Sequence, residues 1–159
     1  MPRPIALALA AAAFLALAQM AFAADISRDQ YKTSVEPICQ ANTKANERIL
    51  KGVRNLVRKN KLKPAARRFA KAGAALNRAH RQLLAVPQPD ADEARLAKWL
   101  KYVKIEANLF KAVARKLRAG QRGAAQAKVN KLTTNANRAN AQVLAFNFRF
   151  CRFKPSKFT

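Results

Sequence analysis

Acidic residues are the scarcest feature of this chain. Eight Asp and Glu stand against 32 Lys and Arg in 159 residues, for a formal charge of +24. There is one His, two Cys, one Trp and four Gly. Each scarcity excludes a chemistry. His80, with no Cys, Asp or Glu close to it in sequence, cannot assemble a metal site of three or four ligands, and it reads as a residue on the flank of its helix. So few glycines leave no phosphate-cradling loop, and neither Gly-x-Ser-x-Gly nor the Glu-x-x-His of di-iron bundles occurs. Glu106 is the one mid-helix acid on an apolar edge, seven residues from both Trp99 and Val113. A lone carboxylate in such a place can be a general base. Among so many cations it is expected in a salt bridge instead. These absences predict a protein that is not an enzyme and holds no cofactor or metal.

The cations are not evenly diluted by the acids. Residues 48–89 contain 12 basic side chains and no acid, and residues 107–159 again contain 12 and none. A domain this positive attracts polyanions through its long-range field. Wall phosphate polymers, anionic lipid headgroups and nucleic acid all carry the right sign.

The one long apolar run lies at the start. Arg3 precedes an apolar stretch over residues 5–18, and Ala21-Phe22-Ala23 follows as a small-x-small cleavage site. That is the pattern of an export signal over residues 1–23, cut before Ala24. The run is short for a membrane span, which needs about 20 apolar residues. Residues 24–159 then form a single domain, secreted or held in the cell envelope, with no further span. Arg3 leaves with the signal, so the mature charge is one unit below the +24 of the whole chain. Export brings the two cysteines into an oxidising compartment. Cys39 and Cys151 allow one intramolecular disulfide, and closing so long a loop stabilises a fold by roughly 2–5 kcal/mol in the chain-entropy model.

Helical periodicity fills the rest. Ser27 and Gln30 stand at capping-box spacing before a short helix over residues 25–35. Pro37 either opens the next helix or kinks a continuous one. Ile38, Asn42, Ala45, Ile49, Val53 and Leu56 form a first long seam. The pattern breaks at residues 60–63, and Pro64 suits the start of a second helix, with Phe69, Ala72, Leu76, Ala79, Leu83 and Val86 inward and many small residues allowing close packing. Pro87-Gln88-Pro89 is a stiff connector. Asp90 and Glu93 make a second capping pair, and with Asp92 they complement the dipole of a third helix that stops at Gly120. Its seam of Leu96, Leu100, Val103, Ala107, Phe110, Ala114 and Leu117 has a second apolar edge that includes Trp99 and Tyr102. A last helix over residues 125–151 carries Ala125, Val129, Leu132, Ala136, Ala139, Val143, Phe146 and Phe150 at steps of four and three, about three and a half heptads. Gln126, Thr133, Asn140 and Asn147 form a polar column beside that seam.

Four amphipathic helices with short connections predict an all-α, antiparallel up-down-up-down four-helix bundle. Cys39 and Cys151 then meet at one end. The layout of signal peptide, Tyr31, Ile38-Cys39 and a second cysteine after a Phe-rich helix end resembles a group of small secreted bacterial helical-bundle proteins of unknown function. The resemblance implies a disulfide-closed bundle outside the cytoplasm and carries no catalytic residues.

The functional expectation is therefore binding to an anionic surface, either wall polymer or lipid headgroups. Arg67, Arg68, Lys71, Arg78 and Arg81 on the second helix and Arg149, Arg152 and Lys154 near the C terminus are the candidate contacts. Leu144, Phe148, Phe153 and Phe158, interleaved with these last cations, offer a membrane or partner patch, unless Phe148 and Phe153 cover the base of the bundle around Tyr31 and the disulfide. Two alternatives remain. One is a small-ligand carrier using the bundle interior and the Asn140 column; the other is an extracytoplasmic nucleic-acid binder, for which the same rings would be stacking platforms.

Overall fold

A computed structural model describes residues 25–154. The expected signal peptide and Phe158 lie outside them. Within them the chain is all helical: α1 (Arg28–Leu50), the short α2 (Val53–Arg58), α3 (Leu62–Leu84), α4 (Glu93–Arg118) and α5 (Arg122–Gln142), with 3-10 turns at Asp90–Asp92 and Leu144–Phe146. None of these helices is long and apolar enough to cross a membrane.

The ends of the helices follow from local chemistry. Ser27 Oγ accepts from Gln30 N–H while Gln30 Oε1 accepts from Ser27 N–H, so the capping box that opens α1 is complete. The helix then continues through Pro37, so of the two outcomes open there Pro37 does not open a new helix. Pro37 and Thr33, whose carbonyl loses its donor there, are both exposed, so water can take the lost bond. Gly52 (φ 74°) breaks the chain between α1 and α2. Asn60 (φ 54°) and Gly120 (φ 71°) end α2 and α4 in the left-handed conformation. In both, the next amide reaches back to the helix, Lys61 N–H to Leu56 O and Gln121 N–H to Lys116 O.

The seam of α1 differs from the expected one. Tyr31, Val35, Cys39, Asn46 and Leu50 are buried, while Ile38, Asn42, Ala45 and Ile49 are only half so. The disulfide requires Cys39 to face inward, and this rotates the stripe away from Ile38. Asn46, not Asn42, is the polar residue of the core.

α3 is the centre of the packing, lying against both α1 and α4, and α4 lies in turn on α5. Small residues let α3 approach its neighbours: Ala65, Ala66, Ala72, Gly73, Ala75 and Ala79 are all buried. The closest approach is at Gly73, where an added Cβ would stand 2.9 Å from Ala107 O and 3.0 Å from Phe110 Cβ. α1 and α5, by contrast, barely touch. A slot remains between them, floored by α3 and α4.

The predicted final helix is too long by about two turns. α5 stops at Gln142, and the chain passes through a 3-10 turn to Asn147 in the left-handed region (φ 49°). Phe146 and Phe148 are both buried and stack on each other at 5.2 Å. Two residues apart on a helix they would point about 200° apart, so burying both demands that the helix end.

Because the obstacles at Gly73 include backbone of α4, Gly73→Val is expected to destabilise the fold by about 1–3 kcal/mol. Gly73→Ala should cost less, since about 1 kcal/mol of helix propensity is regained. Urea unfolding followed by circular dichroism checks the order; a Val variant as stable as the parent would show that α3 and α4 can separate freely.

Candidate functional site

The richest cluster of side chains surrounds the C-terminal tail, residues 147–154, which enters the slot between α1 and α5. Cys151 is bonded to Cys39 of α1 with 5.0 Å between their Cα atoms and 112 residues between them in sequence. Glu36, one turn earlier on α1, accepts the backbone N–H groups of Arg149 (2.6 Å) and Phe150 (3.0 Å). On the opposite wall Asn140 of α5 reads the backbone of Phe153 twice, donating from Nδ2 to the carbonyl and accepting the N–H at Oδ1, both at 2.8 Å. Asn140 of the polar column thus clasps the chain's own tail.

Beneath the tail lies an aromatic base. Tyr31 meets Phe146 edge-on at 5.9 Å, and Trp99 meets Phe148 at 5.7 Å. Phe148 is only 4% exposed. It therefore belongs to the core and not to a surface patch. Phe153 is half-buried, leaving Leu144 as the exposed apolar member of that group among the described residues. Arg28 closes the same end from outside: its guanidinium lies 5.7 Å over the Phe146 ring and makes two bonds to Asp92, Nε to Oδ2 at 2.5 Å and Nη2 to Oδ1 at 2.9 Å. The Arg28 hydrogen bond holds the Asp92 carboxyl below the usual range. Asp92 stands at the N-cap of α4 with Glu93 in the first turn, but it makes no side-chain cap; its carboxylate instead bridges the starts of α1 and α4.

Between the tail, α1, α3 and α4 is a cavity of about 200 Å³, lined among others by Asn42, Asn46, Leu76, Trp99, Val103 and Phe153. Trp99 Nε1 and Asn46 Oδ1, both on lining residues, find no protein partner.

The candidate anion contacts fall on two surfaces. Arg67, Lys71, Arg78 and Arg81 are exposed along the outer face of α3, at helical spacing, and Arg149, Arg152 and Lys154 are exposed on the tail. Arg68 departs from the set: its guanidinium donates to the Lys51 carbonyl at the end of α1, so it acts as a C-terminal cap. Arg149 lies 5.1 Å over the Phe150 ring.

Two buried titratable groups depart from their expected surroundings. Glu106 is 2% exposed and receives a hydrogen bond of 2.6 Å from Asn135 Nδ2, which also donates to Tyr102 O. The expected salt bridge is absent. With no cation beside it, burial raises the carboxyl to about 8, against the smaller opposing effect of Asn135. His80 is buried rather than flanking, and burial followed by the nearby Lys104 charge lowers its pKa. Among the described residues no three His, Cys, Asp or Glu side chains are placed to hold a metal ion. Compared with protein-family models, curated proteins and solved structures, the chain matches none of them.

A carboxyl raised in the folded state holds its proton there after the unfolded chain has released it, so Glu106 takes stability away as pH rises from about 4.5 to about 8. His80 acts in the opposite sense, removing stability as pH falls through and below its ordinary 6.5. Glu106→Gln keeps an acceptor for Asn135 but cannot ionise. It is expected to melt close to the parent near pH ~5 and clearly above it near pH ~9. A melting difference that does not change with pH would mean that Glu106 stays ionised in the fold.

Proposed function

We propose that the protein is exported, stays in the cell envelope or is released, and binds polyanionic surfaces there without catalysing a reaction. The observation that carries this reading is where the few acids go. Asp92 is taken by Arg28, Glu36 by the tail amides, Glu106 by Asn135, and Asp25 by the backbone N–H of Asp90. None of these lies beside the α3 cations, and no acid of the described residues pairs with Arg67, Lys71, Arg78 or Arg81. The outer face of α3 therefore presents charge that its own fold does not neutralise, which suits wall phosphate polymer or anionic headgroups. A disulfide and an N-terminal export pattern support the location.

In the same reading α1, α3, α4 and α5 form an up-down-up-down bundle. Pairs of touching residues run in opposite order along neighbouring helices, which supports it. On α3 and α4, Phe69 meets Phe110 while Asn77 meets Lys104. On α4 and α5, Tyr102 meets Asn135 while Leu117 and Ala125 share one groove.

A second reading, a small-ligand carrier, is favoured by one observation: the cavity beside the disulfide includes an indole N–H and an amide oxygen with no protein partner. It is no longer tied to Asn140.

The surface reading is tested by measuring binding of the oxidised protein to wall phosphate polymer, anionic vesicles and single-stranded DNA over a salt series. One of the three should be preferred near physiological salt, and Arg67→Glu/Lys71→Glu/Arg78→Glu should weaken it by roughly tenfold or more. Arg68 is left intact because it caps α1. Equal, weak binding to all three that the triple variant leaves unchanged would sink the proposal.

A further inference from the structure

The slot between α1 and α5 is filled at one end by the tail. Toward the other end the wall facing α5 is α2 rather than α1. There, beside α2, a groove of about 400 Å³ is floored by Phe69, Val113 and Leu117 and walled by Val53 and Val57 of α2 and Ala125 and Val129 of α5. Its remaining lining residues are Arg54, Arg58, Arg122 and Gln126, and none is acidic. The apolar part is well formed, since Phe69, Val113 and Leu117 are at most 5% exposed. The polar residues are at the mouth: the cations Arg54, Arg58 and Arg122 and the neutral Gln126 are all exposed.

This pairing of floor and rim selects the occupant. A neutral apolar molecule would make no use of Arg58 and Arg122. A polyanion chain would use them and leave the apolar lining without a partner. A molecule with one apolar chain and one anionic head uses both: the chain covers Phe69, Val113 and Val129 while the head meets Arg58 and Arg122 as a charge-assisted hydrogen-bond acceptor. Arg58 already gives one Nη2 hydrogen to Asn55 Oδ1, which leaves other guanidinium donors for a ligand. The volume lies within the range of small-molecule sites, about 300–1,000 Å³. We propose that this groove is a site for a free, single-chain anionic amphiphile such as a fatty-acid carboxylate, taken one molecule per protein.

The geometry of α2 fits that use. It is six residues long, packs on α3, and is set off by left-handed residues at both ends, Gly52 and Asn60. One wall of the groove is thus a short helix joined to the rest by two turns, whereas the opposite wall is the long α5. The inference does not rest on polyanion binding by α3, because Arg67 and Lys71 lie outside the groove lining.

The test is calorimetric titration of the oxidised protein with dodecanoate below its micelle concentration, alongside dodecyltrimethylammonium and anionic vesicles. One dodecanoate per protein is expected, held at least roughly tenfold more tightly than the cationic amphiphile. Arg58→Glu/Arg122→Glu should lose roughly tenfold in dodecanoate affinity, and Gln126→Trp, a change at the exposed mouth, should block the site. Arg67→Glu/Lys71→Glu should leave it intact. Equal binding of the two amphiphiles, indifference to the Arg58 and Arg122 reversal, or binding to vesicles with none to monomeric dodecanoate would each overturn the proposal. Amide shifts in NMR confined to α2 and the first turns of α5 are expected on titration; shifts centred instead on Trp99 would place the ligand in the other cavity and overturn it as well.

Discussion

The tail wedged between α1 and α5 is the contact on which the rest of this architecture depends. Those two helices do not pack along each other, so the core would be open on one side without it. A covalent bond to Cys39, two amides held by Glu36 and two backbone bonds to Asn140 fix the tail to both walls. Its Phe residues then complete the aromatic base with Tyr31 and Trp99. Each element of the closed end serves to bring an irregular segment into a place where a fourth helix turn would not fit.

Charge is distributed by the same logic. A chain with this cationic excess must fold against its own repulsion, and it has few acids with which to do so. Three of them are placed at joints: Asp92 ties α4 to the start of α1, Glu36 ties α1 to the tail, and Asp25 meets the amide of Asp90. Glu106 is the exception, a carboxyl buried with a neutral amide partner between α4 and α5. It accepts a hydrogen bond from Asn135, and burial raises its pKa. The outer face of α3 keeps Arg67, Lys71, Arg78 and Arg81 exposed.

Much of the helical plan was legible from periodicity and punctuation. The capping box at Ser27, the stop at Gly120 and the inward stripes of α3 and α4 stand where spacing and turn chemistry put them, and the break expected at residues 60–63 is there but closes earlier, with α3 starting at Leu62 rather than Pro64. The disulfide was legible by elimination. What could not be read were features set by contacts across the fold. The heptad pattern of α5 continues past Gln142 in sequence, yet packing of Phe146 on Phe148 overrides it. Asn140 looked like one of a polar column because its partner, a tail backbone, has no side-chain signature. Glu36 gave no sign beyond being an acid near Pro37; only the Cys39 bond brings two orphan amides within its reach. The groove under α2 was hidden for a related reason: its lining comes from four helices.

The bond between Cys39 and Cys151 also makes a ring of most of the chain. Every connector that joins α1 to α2, α2 to α3, α3 to α4 and α4 to α5 lies inside that ring. One cut in any of these connectors opens the ring but produces no second molecule, and the pieces stay tethered beside the core they shared. A protease must cut twice within the ring, or outside it, before a fragment can diffuse away. The loops of this protein, which are its most exposed backbone, are therefore also the places where a first cleavage does least harm.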